Sequence, residues 1–270
     1  MRNNGLRAKI SAMTGKLLSR EGYGMLCRAP SAEAFGLLLK ELSDYKALVG
    51  DENAPRMDAE AIFRQALDDD FARIARFVTN FPTRRFLHCY FAKFDRHAEP
   101  PGFQAALQRE LRQAARLRHA ERLYLNKADQ AALGRISGEA ADMRNIIWLY
   151  RLKRQAHIPP ALLYSTLIPD RRRLTEAQLV RMVQAGDADT LKMDVSQSAY
   201  AHVFENFDAP ERAAAIRLTT LHRQAAQQSA VGAAVCHLFM KAQEIKNMTS
   251  ILEGIGYGIP PKTLMGTLVL

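Results

Sequence analysis

The residues best suited to chemistry in this sequence lie together near its middle. Asp142-Met-Arg-Asn145 puts an acid, a base and an amide on one helical turn, which invites a search for a reactive site. The same helix holds the only tryptophan, Trp148, and becomes strongly basic at residues 151–154. It is predicted to stop before Ile158-Pro159-Pro160, because proline cannot continue a helix.

Patterns typical of catalytic or metal sites are missing elsewhere in the sequence. The three cysteines have no C-x-x-C spacing and the seven histidines no H-E-x-x-H spacing, so a zinc site or disulfide framework is not predicted. Asp68-Asp-Asp70 lies within a predicted helix, where its carboxylates fan around the axis as a solvated face. Gly134-Arg-Ile-Ser-Gly138 lacks the strand of a nucleophile elbow, and Ser137 is predicted to cap a helix. No catalytic residue, cofactor-binding residue or metal ligand is therefore assigned.

The chain is basic, with a net charge of +10 over 270 residues. A charge of this size favours an acidic partner, which could be nucleic acid, an anionic membrane or an acidic protein face. Two basic features stand out: five arginines between Arg109 and Arg122 on one predicted helix, and Arg171-Arg-Arg173 at a turn beside a helix start. Neither is accompanied by a nucleic-acid-binding module or by interleaved aromatic residues.

Apolar residues recur at helical spacing almost throughout, and no convincing period-2 strand is found, so the sequence predicts an all-α fold. Ser31 is predicted to cap one helix, and Gly254-Ile-Gly256-Tyr-Gly258 to end another. The uncharged run from Gln224 is too short and too polar to span a bilayer. The predicted helices cover the ranges 57–78, 84–98, 103–125, 175–185, 196–206, 211–221 and 232–252, with a short last helix after Pro261.

One pattern occurs twice in the same order. Asp142-Met-Arg-Asn145 and Glu244-Ile-Lys-Asn247 share acid, apolar, base and asparagine, and each is followed by Ile-Pro-Pro about one helix later. A degraded third copy is predicted at the N-terminus, where Glu33–Leu48 aligns with Glu176–Leu191 without a gap. The repeat makes the acid and the asparagine better candidates for fixing a helix crossing in each copy than for catalysis.

These elements together resemble the C-type subunit of the bacterial and archaeal V/A-type ATPase, which is related to the d-type subunit of the vacuolar enzyme. The middle signature is Asp142 and Asn145, then a basic helix with Arg151 and Lys153, then Leu167-Ile168-Pro169. The C-terminal signature is Glu244-Ile-Lys-Asn247 followed by Ile251-Leu-Glu-Gly254-Ile255, and the N-terminal one is the stretch from Arg7 to Tyr45. Two positions depart from the pattern: Pro169-Asp170-Arg171 replaces an expected glycine, and Glu253 stands where the other copies have a base.

The resemblance implies three similar helical domains in a pseudo-threefold, funnel-like arrangement, with approximate bounds of 1–100, 101–195 and 196–270. It implies a non-catalytic central-stalk subunit without a cofactor, cytoplasmic and held at the membrane through the ATPase complex. Its expected partners are the D and F subunits of the rotor shaft and the membrane proteolipid ring, with no nucleic acid and no direct insertion into the bilayer. Arg171, Arg172 and Arg173 are the expected partner-binding residues, because a turn at a helix start projects them.

Two other functions fit the same composition. A basic, all-helical nucleic-acid-binding protein would show strongly salt-dependent binding to any duplex. A helical enzyme with an unrecognised site would show a deep polar cleft with convergent carboxylates or histidines.

Overall fold

A computed structural model shows an all-α chain, as the sequence predicts, with no strand among the residues it describes. Those residues are 2–42, 45, 59–94, 103–155, 158–205 and 207–270. The helices are α1 (Arg2–Thr14), α2 (Arg20–Leu26), α3 (Ala32–Leu42), α4 (Ala59–Phe77), α5 (Phe81–Phe91), α6 (Phe103–Tyr124), α7 (Lys127–Gln155), α8 (Pro160–Thr166), α9 (Glu176–Gln184), α10 (Ala188–Ser196), α11 (Pro210–Gln228), α12 (Ala230–Gly256) and α13 (Pro261–Thr267).

The chain divides into two compact units. Unit 1 combines both ends of the sequence, residues 1–84 and 226–270, and unit 2 is the continuous stretch 85–225. In unit 1 the long helix α12 packs against α1, α3, α4 and α13, and α2 packs against α3 and α13. In unit 2 the long helix α7 packs against α6, α9 and α10, and α8 packs against α9.

Each unit has its own apolar core. In unit 2 the stripe Ile146, Leu149 and Leu152 of α7 faces apolar residues of α8, α9 and α10. In unit 1 Met248 and Ile251 of α12 lie among apolar residues of α2, α3 and α13. No helix in the described ranges is both long and apolar enough to cross a membrane.

Local capping signals place several helix ends where the sequence predicts them. Ser31 Oγ accepts from the N–H of Ala34 at 3.2 Å and starts α3. Thr175 forms a capping box with Gln178 at the start of α9. Asn80 Oδ1 accepts from the N–H of Thr83 at 3.2 Å, so the break predicted at Asn80-Phe-Pro82 is the start of α5. The predicted helices 57–78 and 84–98 lie partly outside the described residues.

Four local predictions are wrong. The predicted helix 196–206 does not form, because α10 ends at Ser196 and residues 197–203 form turns. Ser137 lies inside α7 and donates to Glu121 Oε1 at 2.7 Å instead of capping a helix. The apolar spacing of the predicted helix 57–78 puts Phe77 on its inward face, but Phe77 is 49% exposed. Asp70 is buried, so the acidic run is not wholly a solvated face. The predicted three domains and their pseudo-threefold arrangement remain predictions.

Candidate functional site

Asn145, the asparagine of the central motif, forms two hydrogen bonds with a distant backbone segment of unit 2. Asn145 Nδ2 donates to the carbonyl of Ile168 at 3.0 Å, and Asn145 Oδ1 accepts from the Ile168 N–H at 2.9 Å. The buried amide thus pairs with both backbone groups of a residue 23 positions further along. We call this two-bond pairing the asparagine latch. It fixes the start of the turn that follows α8.

The acid of the motif holds the end of the same turn. Asp142 Oδ2 accepts from the N–H groups of Arg173 at 2.7 Å and Leu174 at 3.2 Å, and its carboxylate also accepts from Arg172 N–H. Tyr200 Oη donates to Asp142 Oδ2 at 2.8 Å. Burial raises the pKa of Asp142, against the lowering effect of these donors. With its oxygens occupied by fixed donors, Asp142 is a structural acceptor and not a general base.

Two further contacts hold the stretch Ile168–Leu174, here called the arginine turn. Arg118 Nε donates to Asp170 at 2.9 Å while its Nη1 donates to the buried Glu121 at 3.0 Å. A Cβ added to Gly138 would lie 2.8 Å from Arg172 Cβ, so the arginine stem passes directly over this glycine of α7. The arginine turn is therefore fixed at several points along its length.

The side chains of the three predicted partner-binding residues are exposed on this fixed backbone. Arg171 lies 3.5 Å from Glu176 in an exposed ion pair, and the Arg173 guanidinium lies 5.9 Å from the centre of the Tyr200 ring. Such surface contacts contribute little to stability, so the arginines remain available to a partner. The base of the motif, Arg144, is also exposed and pairs with Glu110 at 3.1 Å. The motif thus separates into a buried acid and amide and an exposed base.

Unit 1 repeats the asparagine latch. Asn247 Nδ2 donates to the carbonyl of Val269 at 2.7 Å, and the Val269 N–H donates to Asn247 Oδ1 at 3.1 Å. The separation is 22 positions, against 23 in unit 2. Both latches follow a short helix, α8 or α13, that begins at the second proline of an Ile-Pro-Pro sequence.

The acid is repeated as well. Glu244 accepts from the N–H of Leu18 at 2.6 Å and from Tyr45 Oη at 2.9 Å, as Asp142 does from Leu174 and Tyr200. Glu244 has only one backbone donor among these contacts, and it also binds the positive charge of Lys241, whose Nζ lies 2.7 Å from Glu244 Oε1. Burial and the charge of Glu244 raise the pKa of Tyr45.

The equivalence of the two units extends through the next two helices, which are α2 and α3 in unit 1 and α9 and α10 in unit 2. It corrects the predicted alignment. Leu18 and Leu174 each precede a helix cap, Ser19 for α2 and Thr175 for α9. The next caps, Ser31 for α3 and Asp187 for α10, both follow twelve residues later. The structure therefore matches α3 with α10, so the predicted overlay of Glu33–Leu48 on Glu176–Leu191 is wrong. The N-terminal helices α2 and α3 therefore belong to the same copy of the repeat as Glu244 and Asn247.

Further buried polar groups have structural partners. In unit 1 Asp70 Oδ2 lies 2.9 Å from His237 Nε2, and the other ring nitrogen of His237 lies 3.0 Å from the Thr14 hydroxyl. Burial acts to raise the pKa of Asp70, but the hydrogen bond and nearby positive charges lower it overall. In unit 2 the buried Glu139 binds Arg217 at 2.7 Å and Arg135 at 3.0 Å.

Neither a metal cluster nor a convergent reactive centre emerges from the described ranges. They contain no group of three or more histidine, cysteine, aspartate or glutamate side chains placed to hold a metal. Unit 2 has an open groove of about 440 Å³, whose charged lining comprises Arg154, Lys192, Asp189 and Asp208. Lys192 already pairs with Asp189 at 2.9 Å. Two bases and two acids give this groove no preference for a ligand of either charge.

The comparison with known families decides the identity. A family model described as ATP synthase (C/AC39) subunit matches residues 6–98 and 104–266. The chain belongs to this family. The predicted resemblance to the C-type subunit of the V/A-type ATPase and the d-type subunit of the vacuolar enzyme is thereby confirmed. No curated protein matches the chain at a significant level.

In this C/AC39 chain, sequence reasoning found the acids and asparagines of both latched units but missed their tyrosine partners. Tyr45 and Tyr200 lie 199 and 58 positions from the carboxylates that they bind. One signal was present in the sequence: Tyr45 follows the cap residue Ser31 by 14 positions, and Tyr200 follows the cap residue Asp187 by 13.

Proposed function

We propose that this C/AC39 chain is a non-catalytic rotor subunit in the central stalk of a V/A-type ATPase. It acts as a socket that couples the D and F subunits of the shaft to the membrane proteolipid ring and so transmits torque for ion transport. It lies in the cytoplasm and is held at the membrane through the complex. The observation that carries the proposal is the family match over nearly the whole chain.

The internal contacts support a mechanical role. In each unit the latch and the buried carboxylate tie a long helix to a turn and to a distant tyrosine, Tyr200 in unit 2 and Tyr45 in unit 1. Fully hydrogen-bonded buried networks of this kind resist rearrangement, because breaking one bond leaves a buried polar group unsatisfied. A part that transmits torque needs this stiffness and a surface that grips its neighbours.

The arginine turn is the proposed binding surface for the shaft. Its backbone is held by Asp142 and Asn145, and Arg118 binds the Asp170 side chain, while Arg171, Arg172 and Arg173 are exposed. A fixed backbone lowers the entropy lost when exposed arginines bind, and arginine forms bidentate contacts with carboxylates. The proposed counterpart is an acidic patch on the shaft.

Binding of the purified chain to a purified shaft complex of the D and F subunits tests this proposal. Replacement of all three arginines by glutamate should weaken binding at least about tenfold, since rim charges of reversed sign repel. The matched control reverses three exposed arginines of α6, Arg112, Arg116 and Arg122, which leaves the arginine turn intact. Unchanged affinity in the first variant would remove the arginine turn from the proposal, and absence of binding by the unmodified chain would contradict the socket role itself.

A nucleic-acid-binding function has only the net charge in its favour. It predicts that the purified chain binds a DNA duplex with an affinity that falls steeply as salt rises. The stalk proposal predicts that the shaft complex, and not the duplex, is bound at physiological salt.

A further inference from the structure

The corner between α12 and α13 in unit 1 presents apolar side chains outward. Tyr257 is 84% exposed and Ile259 is 38% exposed. Pro260 and Pro261 follow and are exposed as well, as is Lys262. We call residues 256–262 the Tyr257 apex. Exposed aromatic and aliphatic groups gathered at one corner are typical of a binding surface.

The backbone of the Tyr257 apex is fixed by the way in which α12 ends. The N–H of Ile259 donates to the carbonyl of Gly254 at 2.8 Å, and the N–H of Gly258 donates to that of Ile255 at 3.0 Å. Gly258 has a φ of 66°, which glycine adopts without strain. These are the two hydrogen bonds of a Schellman motif, a common helix ending. The apex therefore presents its side chains from a defined backbone.

The same motif explains why Ile259 is left uncovered. In a Schellman motif the residue at the position of Ile259 commonly packs against the side chain at the position of Gly254. Gly254 has no side chain, and the space beside it is filled by Leu264 of α13, whose Cδ2 would lie 2.1 Å from an added Cβ. Ile259 consequently has no internal partner at that position and stays exposed beside Tyr257.

Unit 2 exposes apolar groups at its equivalent corner. Pro159 and Pro160 are exposed there, and Leu162 of α8 is 56% exposed. Both corners have the exposed Pro-Pro pair of an Ile-Pro-Pro sequence, and each has a large exposed apolar side chain nearby, Tyr257 in unit 1 and Leu162 in unit 2. Exposed apolar groups at the same corner of unit 1 and unit 2 indicate that this corner has a function other than stabilising the fold.

We infer that the Tyr257 apex inserts into an apolar groove of another protein subunit of the same ATPase, with an acidic side chain at the groove edge facing Lys262. Tyrosine is enriched among the residues that dominate binding energy, and a fixed backbone reduces the entropy lost on docking. Lys262 is exposed and forms no ion pair with any described residue, so its charge is available to an acidic partner. A lipid surface fits less well, because stable attachment needs several basic residues and the apex has one.

This inference rests on the proposed stalk function, and its test separates the two. The full-length chain, carrying the photo-crosslinker benzoylphenylalanine in place of Tyr257, is assembled into the ATPase and irradiated. The control places the same crosslinker at Gln228, the exposed last residue of α11, which lies next to the start of α12 and so about 40 Å from Tyr257 by the helical rise of α12. We expect a covalent product with one protein subunit from position 257 and not from position 228.

A second measurement uses the variants Tyr257→Ala and Lys262→Glu, with Gln228→Ala as the control. Each of the first two should weaken assembly into the complex about tenfold or more, with an unchanged melting temperature because the side chains are exposed. Crosslinking to lipid alone, or normal assembly of both variants, would overturn the inference and leave the stalk function standing. Failure of the unmodified chain to assemble at all would overturn both.

Discussion

Tyr200 donates its hydroxyl to Asp142 at 2.8 Å, and both residues are buried in unit 2. Tyr45 and Glu244 form the corresponding bond in unit 1 at 2.9 Å. In the sequence the two tyrosines share a similar distance from the preceding cap residue, 14 positions for Tyr45 and 13 for Tyr200. The contacts establish their equivalence, and they show that the two units share one arrangement of acid, asparagine and tyrosine.

Removal of either tyrosine hydroxyl should therefore have similar consequences. Tyr200→Phe and Tyr45→Phe should each lower the free energy of unfolding by about 2 kcal/mol, the usual range for a buried hydrogen bond to a charged group. Denaturant melts of the full chain measure this. Tyr257→Phe is the matched control and should change nothing, because Tyr257 is 84% exposed. A destabilisation confined to one of the two buried positions would contradict the equivalence of the units.

Gly254 is predicted to be intolerant of any side chain. In Gly254→Ala the added Cβ would lie only 2.1 Å from Leu264 Cδ2, and Leu264 is buried, so either its side chain or α13 has to shift. We expect the free energy of unfolding to fall by about 1–3 kcal/mol, as for other overpacked sites.

Gly256→Ala is the control for that substitution on the same helix. No atom lies within 4 Å of a Cβ added there, so alanine should be neutral or stabilise the helix by up to about 1 kcal/mol. Thermal melts of Gly254→Ala and Gly256→Ala measure this difference in stability. Equal stability of both variants would contradict the close packing of Leu264 against Gly254.

His222 should make the protein sensitive to acid. Burial, with a smaller effect from the charge of Lys93, lowers the pKa of His222 to about 3. Its Nδ1 lies 2.7 Å from the Leu218 carbonyl and its Nε2 lies 3.1 Å from the Tyr90 hydroxyl, an arrangement that suits the neutral ring. The unfolded chain takes up this proton near pH 6.5, where the native protein does not. Stability is therefore lost as the pH falls from about 6.5 towards 3, by at most about 1.4 kcal/mol per pH unit for this one group.

Denaturant melts between pH 7 and pH 5 measure that contribution. His222→Gln removes the titrating group, so the free energy of unfolding should fall less steeply with acidification than in the unmodified chain. His202→Gln, at an exposed position, should keep the original slope. An identical slope in all three proteins would contradict the buried neutral state of His222.

Much of the fold could be predicted because its determinants are local. Capping residues such as Ser31 and Thr175 lie next to the helices that they start, and the Ile-Pro-Pro sequences mark helix ends directly. The structural role of Asp142 and Asn145 followed from their counterparts at Glu244 and Asn247, since two catalytic sites of one design in a chain without nucleophile or metal motifs would be unusual.

What could not be predicted depends on contacts between distant parts of the chain. The helix expected at 196–206 is replaced by turns that bring Tyr200 to Asp142, and helical periodicity contains no information about that partner. Asp70 is buried because His237 meets it from 167 positions away. The wrong alignment of Glu33 with Glu176 arose because short helices rich in alanine and leucine match in several registers, and only the cap spacing selects one.

Affinity capture tests the central claim most directly. The tagged full-length chain is expressed in its own host, membranes are solubilised gently, and the captured proteins are identified by mass spectrometry after nuclease treatment. The stalk function predicts the catalytic subunits of a V/A-type ATPase, the D and F subunits of its shaft and its proteolipid ring in the captured material. A folded chain that captures none of these proteins, or whose capture is lost on nuclease treatment, would contradict it.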